Sequence, residues 1–247
     1  MTILPDSVAL ALPEEWEDIP LEASEYRQFI EQQLAGLKEA GFDDRADLRQ
    51  FEVLAELGYE LAQRARVMMA SSLVAVMEGS NEDDEAVMLM ANLVVSGFLR
   101  EELDTDVPLR AEIVAESFSQ RVPIDDDRVR HDHIEPPSVC EIGGLKSAKL
   151  VRLMSLPPER GGDLKQFTQT YLVSVAEGDA VIVLQFSTMN FELAREFSEL
   201  FETIAQTLRI LYPDDPTFLD EVDADGGSGM DAAATVSHEH EATNDGG

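Results

Sequence analysis

The sequence is poor in cysteine, in lysine and in long apolar segments. Cys140 is the only cysteine among 247 residues, which excludes an internal disulfide framework and a zinc site made of thiolates. The longest apolar run, Val87 to Val95, spans nine residues and is interrupted by Asn92, whereas a membrane-spanning helix needs about 20. These absences predict a globular protein without a membrane-spanning helix.

Positive charge is also scarce. Lys and Arg together number 18 against 50 Asp and Glu, only four of the cations are Lys, and the formal net charge is −32. A field this negative repels phosphate backbones and anionic lipids, so we expect no binding of nucleic acid or of a membrane surface. Two explanations of the acidity stay open: solubility through self-repulsion, or adaptation to high salt, which screens repulsion between like charges.

The start of the sequence does not resemble a secretory signal. A signal peptide begins with a basic region that precedes an apolar stretch, whereas the first basic residue of this sequence is Arg27. The single cysteine agrees with a reducing compartment. The sequence therefore predicts a cytoplasmic location.

The composition changes near residue 212. Apolar residues make up 44% of the whole chain, which is enough for a core, and we predict one domain over residues 1–212. From Pro213 to Gly247 there are ten carboxylates and no Lys or Arg, and such a segment buries too little surface to offset the entropy of ordering. Residues 213–247 are predicted to be a disordered acidic tail, and residues 100–145 a loop-rich insertion.

Apolar residues spaced three and four apart predict four helices. They run from Ser24 as the N-cap to Leu37, from Asp43 or Asp44 to Ala65, from Leu109 to Phe118, and from Asn190 as the N-cap to Leu211. Ser and Asn favour N-cap positions because their side chains accept hydrogen bonds from the first free N–H groups of a helix.

Runs of apolar and β-branched residues predict the strands. They are Ser7 to Leu12, Trp16 to Ile19, Val67 to Met77, Ala86 to Leu99, Lys146 to Leu156, and a hairpin of Gln166 to Ala176 with Ala180 to Ser187. Pro123 to Pro137 is predicted to be a long loop or an edge strand. Strands in succession indicate an antiparallel sheet, and near-continuous apolar runs indicate that both faces are covered. The predicted fold is α/β (α+β), an antiparallel sheet flanked by helices on both faces in an α/β/α sandwich.

Two local signatures accompany this order of elements. The first is an apolar strand that runs into Pro13 to Trp16, and the second is the terminal hairpin and helix, Leu172 to Leu211, with Phe186 to Thr188 before the helix. With them the chain resembles the sandwich family of the PsbP-type photosystem II subunit, the import factor that releases nucleotide from Ran, and LpqN-type actinobacterial lipoproteins. The resemblance implies a fold and no particular activity, because fold does not fix function.

His131, Asp132 and His133 form the best candidate for chemistry. In a strand, residues two apart lie on one side, about 7 Å from each other along the backbone. Imidazole and carboxylate together suit zinc or iron(II), so His131, His133 and Asp127 are predicted as candidate metal ligands. The alternative is a solvated polar loop bounded by Pro123 and Pro136.

Other conspicuous residues favour structural roles. Cys140 lacks a neighbouring cation or His that would activate it, so we expect an inert thiol. The pairs Gly143-Gly144 and Gly161-Gly162 lack the context of a phosphate loop and are predicted to be turns. Methionines 68, 69, 77, 88 and 90 form either an adaptable binding face or core filling, and we favour core filling. No cofactor is predicted.

The leading functional hypothesis is a non-catalytic protein-binding or adaptor module whose acidic surface attracts a basic protein partner. A metal-dependent enzyme that uses His131 and His133 is the first alternative. A small-ligand carrier is the second, and it would require an apolar cavity between sheet and helices. A mimic of the charge of nucleic acid is the last.

Overall fold

The computed structural model of the protein describes Pro5, residues 7–39, Leu48, Phe51, and residues 66–77, 87–103, 105–120, 130–155 and 165–211. Four predicted features lie outside these residues: Asp127, the turn at Gly161-Gly162, the tail 213–247 and, apart from Leu48 and Phe51, the second helix. The elements are therefore described for the remaining ranges.

The described ranges contain ten strands and three α-helices. The strands are β1 (Ser7–Ala9), β2 (Trp16–Asp18), β3 (Val67–Met77), β4 (Val87–Leu99), β5 (Arg130–His133), β6 (Ser138–Ile142), β7 (Leu145–Ser155), β8 (Lys165–Val175), β9 (Ala180–Thr188) and β10 (Arg209–Leu211). The helices are α1 (Ala23–Glu39), α2 (Ala111–Gln120) and α3 (Ala194–Gln206). Short 3-10 turns occupy Arg100–Leu103, Ala176–Gly178 and Phe191–Leu193.

One large antiparallel sheet dominates the structure, so the prediction of a mixed α+β fold around an antiparallel sheet is confirmed. Its strand order is β2-β3-β4-β9-β8-β7-β5. Strand β6 also pairs with β7, beside the half of β7 that β5 leaves free. Strands β1 and β10 form a separate two-stranded sheet. Residues 100–145, predicted to be an insertion, include α2 and the edge strands β5 and β6.

Alternation along the strands gives the large sheet two faces. One face consists of the odd-numbered residues of β3, β4, β7 and β8 and the even-numbered residues of β9, as the cross-strand registers show. We name it the aromatic face because Phe167, Tyr171 and Phe186 lie on it. The opposite side, with even-numbered residues of β3, β4, β7 and β8 and odd-numbered residues of β9, is the polar face.

Helix α3 packs on the aromatic face. Phe201 of α3 is completely buried, and its ring stacks on Phe186 at a centroid distance of 4.9 Å and on Phe167 at 6.5 Å. Tyr171 meets the Phe186 ring edge-on at 6.3 Å. These contacts belong to the main hydrophobic cluster, which also includes residues of β1 and β2.

A second hydrophobic cluster involves α1. Ile30, Leu34 and Leu37 pack with Met88 and Met90 of β4. The two methionines are even-numbered and so belong to the opposite side of β4 from the aromatic residues. Met90 is buried and Met88 packs against the cluster, as core filling predicts for both.

Three details of the sequence-based prediction are wrong. Helix α1 begins at Ala23, so Ser24 lies inside it rather than capping it. Asn190 makes no side-chain capping hydrogen bond. The last helix ends at Gln206, and β10 follows, because residues 209–211 pair with β1 instead of continuing the helical apolar stripe. Strand β6 was not predicted, since it is short and only Ile142 in it is buried.

Candidate functional site: a polar row across the sheet

A continuous row of polar residues crosses the polar face at right angles to the strands. It contains one residue from each of the strands β2, β3, β4, β9, β8, β7 and β5, and each residue is the register partner of the next. In this order the residues are Glu17, Ser72, Asn92, Ser187, Thr168, Arg152 and His133. We call this set the polar row. It interrupts a face on which neighbouring positions, such as Val74 and Leu150, are apolar.

The row is well satisfied at its β2 end. Gln33 of α1 donates a hydrogen bond from Nε2 to Glu17 Oε2 at 2.7 Å. The next residue differs, because Ser72 is only 5% exposed and its Oγ is buried without a hydrogen-bond partner. A buried hydroxyl that makes no hydrogen bond loses its interaction with water without compensation.

At the β7 end of the row lies Arg152, whose burial costs more free energy than that of any other residue in the row. Arg152 is half-buried, and its Nε is buried without a hydrogen-bond partner. Burial lowers the pKa of the guanidinium. Thr170, two residues from Thr168 along β8 and on the same face, is 4% exposed, and its Oγ1 also lacks a partner. A buried cation is normally paired with an anion, so this arrangement is unusual.

Four other cations of the described chain pair with carboxylates. The ion pairs are Arg100 with Asp179 at 3.1 Å, Lys146 with Glu112 at 2.7 Å, Lys149 with Glu202 at 3.0 Å and Arg195 with Glu199 at 3.3 Å. The side chains of these cations are 33%, 73%, 17% and 87% exposed, in the same order. Arg152 pairs with no carboxylate among the described residues, although the chain carries a large excess of them.

Buried polar groups on the aromatic face are satisfied, with the exception of Trp16 Nε1 among the described residues. Gln169 donates from Nε2 to the Tyr171 hydroxyl at 2.5 Å, and Ser198 donates from Oγ to Gln169 Oε1 at 2.7 Å. Burial raises the pKa of Tyr171 well above its ordinary value, so the phenol is neutral at physiological pH. This small network links β8 to α3 inside the core.

Asn190 was predicted to cap a helix, but its side chain instead binds the backbone of β4. Its Nδ2 donates to the Met88 carbonyl at 2.7 Å, and its Oδ1 accepts from the Met90 N–H at 2.8 Å. Thr188 adds a hydrogen bond from its Oγ1 to the Met90 carbonyl at 2.6 Å. The segment after β9 is therefore tied to the outer end of β4, and this fixes the position of Phe191.

Exposed apolar residues lie at that end of the sheet on both of its faces, because Val76 is even-numbered in β3 and belongs to the polar face, whereas Val87 is odd-numbered in β4 and belongs to the aromatic face. Val76, Val87 and Phe191 are 38%, 42% and 46% exposed. Val76 is the register partner of Met88, Val87 precedes Met88, and Phe191 follows the residue that binds the Met88 carbonyl. We call these three residues the tip patch. Glu192 next to it is exposed, so the patch has an acidic rim.

A separate groove of about 700 Å³ lies at the start of α2. It is lined by Arg110, Ala111, Glu112, Ile113, Lys146, Ser174 and Glu177. The hydrogen bond from Lys146 lowers the pKa of Glu112. Two cationic and two acidic side chains balance each other in an open, polar lining, which is unlike the apolar cavity that a carrier of small apolar ligands requires.

The predicted metal ligands are placed only in part. His131 and His133 lie in β5, where they are the register partners of Met154 and Arg152, and the structure describes their backbone alone. Asp127 lies outside the described residues. Among the side chains that are described, His, Cys, Asp and Glu form no group of three that could hold a metal ion. The metal site therefore stays a prediction.

Cys140 lies in β6 and is half-buried. Burial, more than any nearby charge, raises the pKa of its thiol. The thiol is therefore protonated at neutral pH and weakly nucleophilic, in agreement with the expected inert role.

Reasoning from the sequence missed the polar row and the tip patch. A signal for the row was present, because Ser72, Asn92 and Arg152 each interrupt an otherwise apolar strand. Single interruptions do not show that they share one row, since this depends on the registers between strands that are distant in the chain. The tip patch had no signal of its own, because Val76 and Val87 were predicted as ordinary strand residues and Phe191 as the first residue of a helix.

Comparisons with known proteins give a fold-level likeness only. No family model matches the chain, and no curated protein matches it. Among solved structures, the chain is similar to that of LpqN, described as involved in cell envelope biogenesis of Mycobacterium tuberculosis, with 12% identity over 83% of each chain and a TM-score of 0.40. A likeness this weak carries no argument about activity. None of the described helices is long and apolar enough to cross a membrane.

Proposed function

We propose that this protein is a non-catalytic protein-binding or adaptor module, whose acidic surface attracts a basic partner and whose tip patch contacts it. The observation that carries the proposal is that Val76, Val87 and Phe191, all exposed apolar residues, lie at one end of the sheet, around the end of the β3–β4 pair and on both of its faces. A partner that wraps around this end of the sheet would cover all three residues.

Charge beside the patch favours a basic partner. Glu192 and Glu196 are exposed next to Phe191 and have no hydrogen-bonded or ion-paired cation among the described residues, whereas Glu199 is bound by Arg195. Unpaired carboxylates around an apolar centre attract cationic side chains and speed association. A partner segment with Lys or Arg beside an aromatic or aliphatic residue would match both features.

The patch is presented rigidly. Asn190 binds the backbone of β4 through both atoms of its amide, so Phe191 does not need to be ordered when the partner binds. Preorganisation of an aromatic anchor reduces the entropic cost of association. A surface of three apolar residues is small, and it therefore suits a transient complex rather than an obligate one.

The finer structural expectations form part of the same proposal. We infer an α/β/α sandwich of the PsbP-type family, supported by the packing of α3 with aromatic-face residues and of α1 with Met88 and Met90. The disordered acidic tail at 213–247 and the cytoplasmic location are inferred from composition and from the single cysteine. The exclusion of nucleic acid and membrane partners rests on the net charge.

Selection of peptides from a random displayed library on the full-length protein tests the proposal. We expect enriched peptides to combine Lys or Arg with an aromatic or aliphatic residue and to bind more weakly as salt rises. Phe191→Ser should weaken binding of an enriched peptide about tenfold or more. Val107→Ser is the matched control, because Val107 is 51% exposed but lies far along the chain from the patch.

The Phe191→Ser variant distinguishes binding through the tip patch from a general attraction by charge. Phe191→Ser leaves every carboxylate in place, so a purely electrostatic attraction to the acidic chain would be unchanged. Equal binding by Phe191→Ser and wild type, with both proteins folded, would overturn the role of the tip patch. Enrichment of acidic peptides, or of none, would overturn the proposed partner class.

A further inference from the structure

Arg152 and Thr170 present unsatisfied donors on one side of the sheet. Arg152 Nε and Thr170 Oγ1 are both buried without a partner. Arg152 is the register partner of Thr168, and Thr170 is two residues further along β8, so the two residues are diagonal neighbours. Diagonal neighbours lie about 7–8 Å apart at Cα, within the reach of long side chains.

We infer that Arg152 and Thr170 form a binding site for the oxyanion group, a carboxylate or a phosphate, of a small ligand. The guanidinium offers a planar set of N–H donors that matches the oxygens of such groups. An oxyanion accepting from Arg152 Nε and from Thr170 Oγ1 would satisfy both orphaned groups and would neutralise the half-buried cation.

The surroundings of Arg152 favour an external anion. Four cations of this chain pair with carboxylates, whereas Arg152, although half-buried, has no carboxylate among the described residues. Its own row supplies neutral hydroxyl groups at Thr168 and Ser187. An unpaired, half-buried cation is costly, so an anion that pairs with Arg152 would be stabilised there.

The size and charge of the site favour a small molecule over a polyanion. The residues lie in the floor of the sheet, where Thr168 and Thr170 are each 4% exposed, so an extended polyanion cannot lie along them. The net charge of −32 repels nucleic acids and anionic lipid surfaces at longer range. The site is independent of the proposed function, because β7 lies three strands, roughly 14 Å, from β4 and its tip patch.

Nuclear magnetic resonance of arginine Nε–H groups in the full-length protein tests the inference. The Arg152 signal is assigned by its disappearance in Arg152→Met. Sodium acetate and inorganic phosphate are added in separate titrations, with sodium chloride at matched ionic strength as the reference. We expect the Arg152 signal to shift and saturate with acetate, with phosphate or with both, while the signal of the exposed Arg195 follows the chloride reference.

Comparison of the two titrations identifies whether the ligand group is a carboxylate or a phosphate. Thr170→Val, which removes the hydroxyl and keeps the shape, should raise the dissociation constant about fivefold. A shift of the Arg152 signal that equals the chloride reference would overturn the site. Saturation with an unchanged dissociation constant in Thr170→Val would overturn the participation of Thr170, and with it the two-residue site.

Discussion

The two faces of the large sheet treat buried polar groups differently. On the aromatic face the buried polar side chains are Ser71, Ser147, Gln169 and Thr188, and each makes a hydrogen bond. On the polar face, Ser72, Thr170 and the Nε of Arg152 are buried without partners. The aromatic face has one exception among the described residues, because Trp16, the register partner of Leu73 on that face, has its Nε1 buried without a partner.

The two faces therefore differ in how their buried polar groups affect the stability of the folded chain. A face whose polar groups are satisfied, apart from Trp16 Nε1, and whose aromatic rings are stacked contributes mainly to folding. Orphaned donors destabilise the folded chain, and each one calls for an explanation. The aromatic face thus carries the main hydrophobic cluster, whereas the polar face combines the second cluster, under α1, with three of the orphaned polar groups of the described residues.

The largest effect on stability should come from a substitution that leaves a cavity in the core on the aromatic face. Phe201→Ala removes a completely buried ring that contacts Phe186 at 4.9 Å and Phe197 at 5.5 Å. We expect a loss of about 3–5 kcal/mol in the free energy of unfolding, measured by urea denaturation. Phe191→Ala is the matched control and should cost less than about 1 kcal/mol, because Phe191 is 46% exposed. Equal losses would contradict the assignment of the core.

The turn between β6 and β7 gives a second comparison, between the adjacent glycines Gly143 and Gly144. Gly143 and Gly144 have φ values of +54° and +78°, the left-handed region in which side chains are strained. A Cβ on Gly143 would also collide with the backbone carbonyl of Leu208, whereas a Cβ on Gly144 would meet no atom. We expect Gly144→Ala to cost about 1 kcal/mol and Gly143→Ala at least about 2 kcal/mol. Similar urea midpoints for the two variants would contradict the contact with Leu208.

Two buried threonines compare the faces directly. Thr188 on the aromatic face is hydrogen-bonded to the Met90 carbonyl at 2.6 Å, whereas Thr170 on the polar face has no partner for its hydroxyl. Thr188→Val should lower the free energy of unfolding by about 1–2 kcal/mol, because it leaves that carbonyl without its donor. Thr170→Val should be neutral or slightly stabilising. A loss in Thr170→Val as large as that in Thr188→Val would show that Thr170 has a partner in solution.

The smallest effect concerns alkaline pH. The pKa of Tyr171 is raised by burial, so the unfolded chain, with an ordinary phenol pKa of about 10, loses its proton first. Stability is therefore complete below pH about 10 and falls above it, by up to about 1.4 kcal/mol per pH unit for this group. Tyr171→Phe should show a shallower fall in urea midpoint between about pH 9 and 11. An unchanged slope would contradict the burial of the phenol.

Local patterns in the sequence were sufficient to predict most elements. The strands from Val67 to Met77 and from Ala86 to Leu99, and the hairpin around Glu177, were predicted within one or two residues because apolar runs end at polar turns. The antiparallel arrangement followed from their succession in the chain. These features depend on neighbours in sequence, which is why they are predictable.

Features that depend on distant pairing were not predicted. Leu208 and Leu211 continue the apolar spacing of α3, but pairing of residues 209–211 with β1 ends the helix first. Asn190 has the side chain of a helix cap, yet its amide binds β4, about a hundred positions earlier in the chain. The orphaned state of Arg152 depends on strand registers in the same way. Whether His131 and His133 bind metal stays a prediction, since Asp127 lies outside the described residues.

The free energy of unfolding of Arg152→Met, measured in urea without added anions, tests the division between the two faces most directly. Methionine keeps most of the apolar stem of Arg152 and removes the charge and the orphaned Nε. The variant should be as stable as the wild type or more stable, because no partner is lost. A loss of more than about 1 kcal/mol would show that Arg152 is already paired within the chain, and the polar face would then be as complete as the aromatic one.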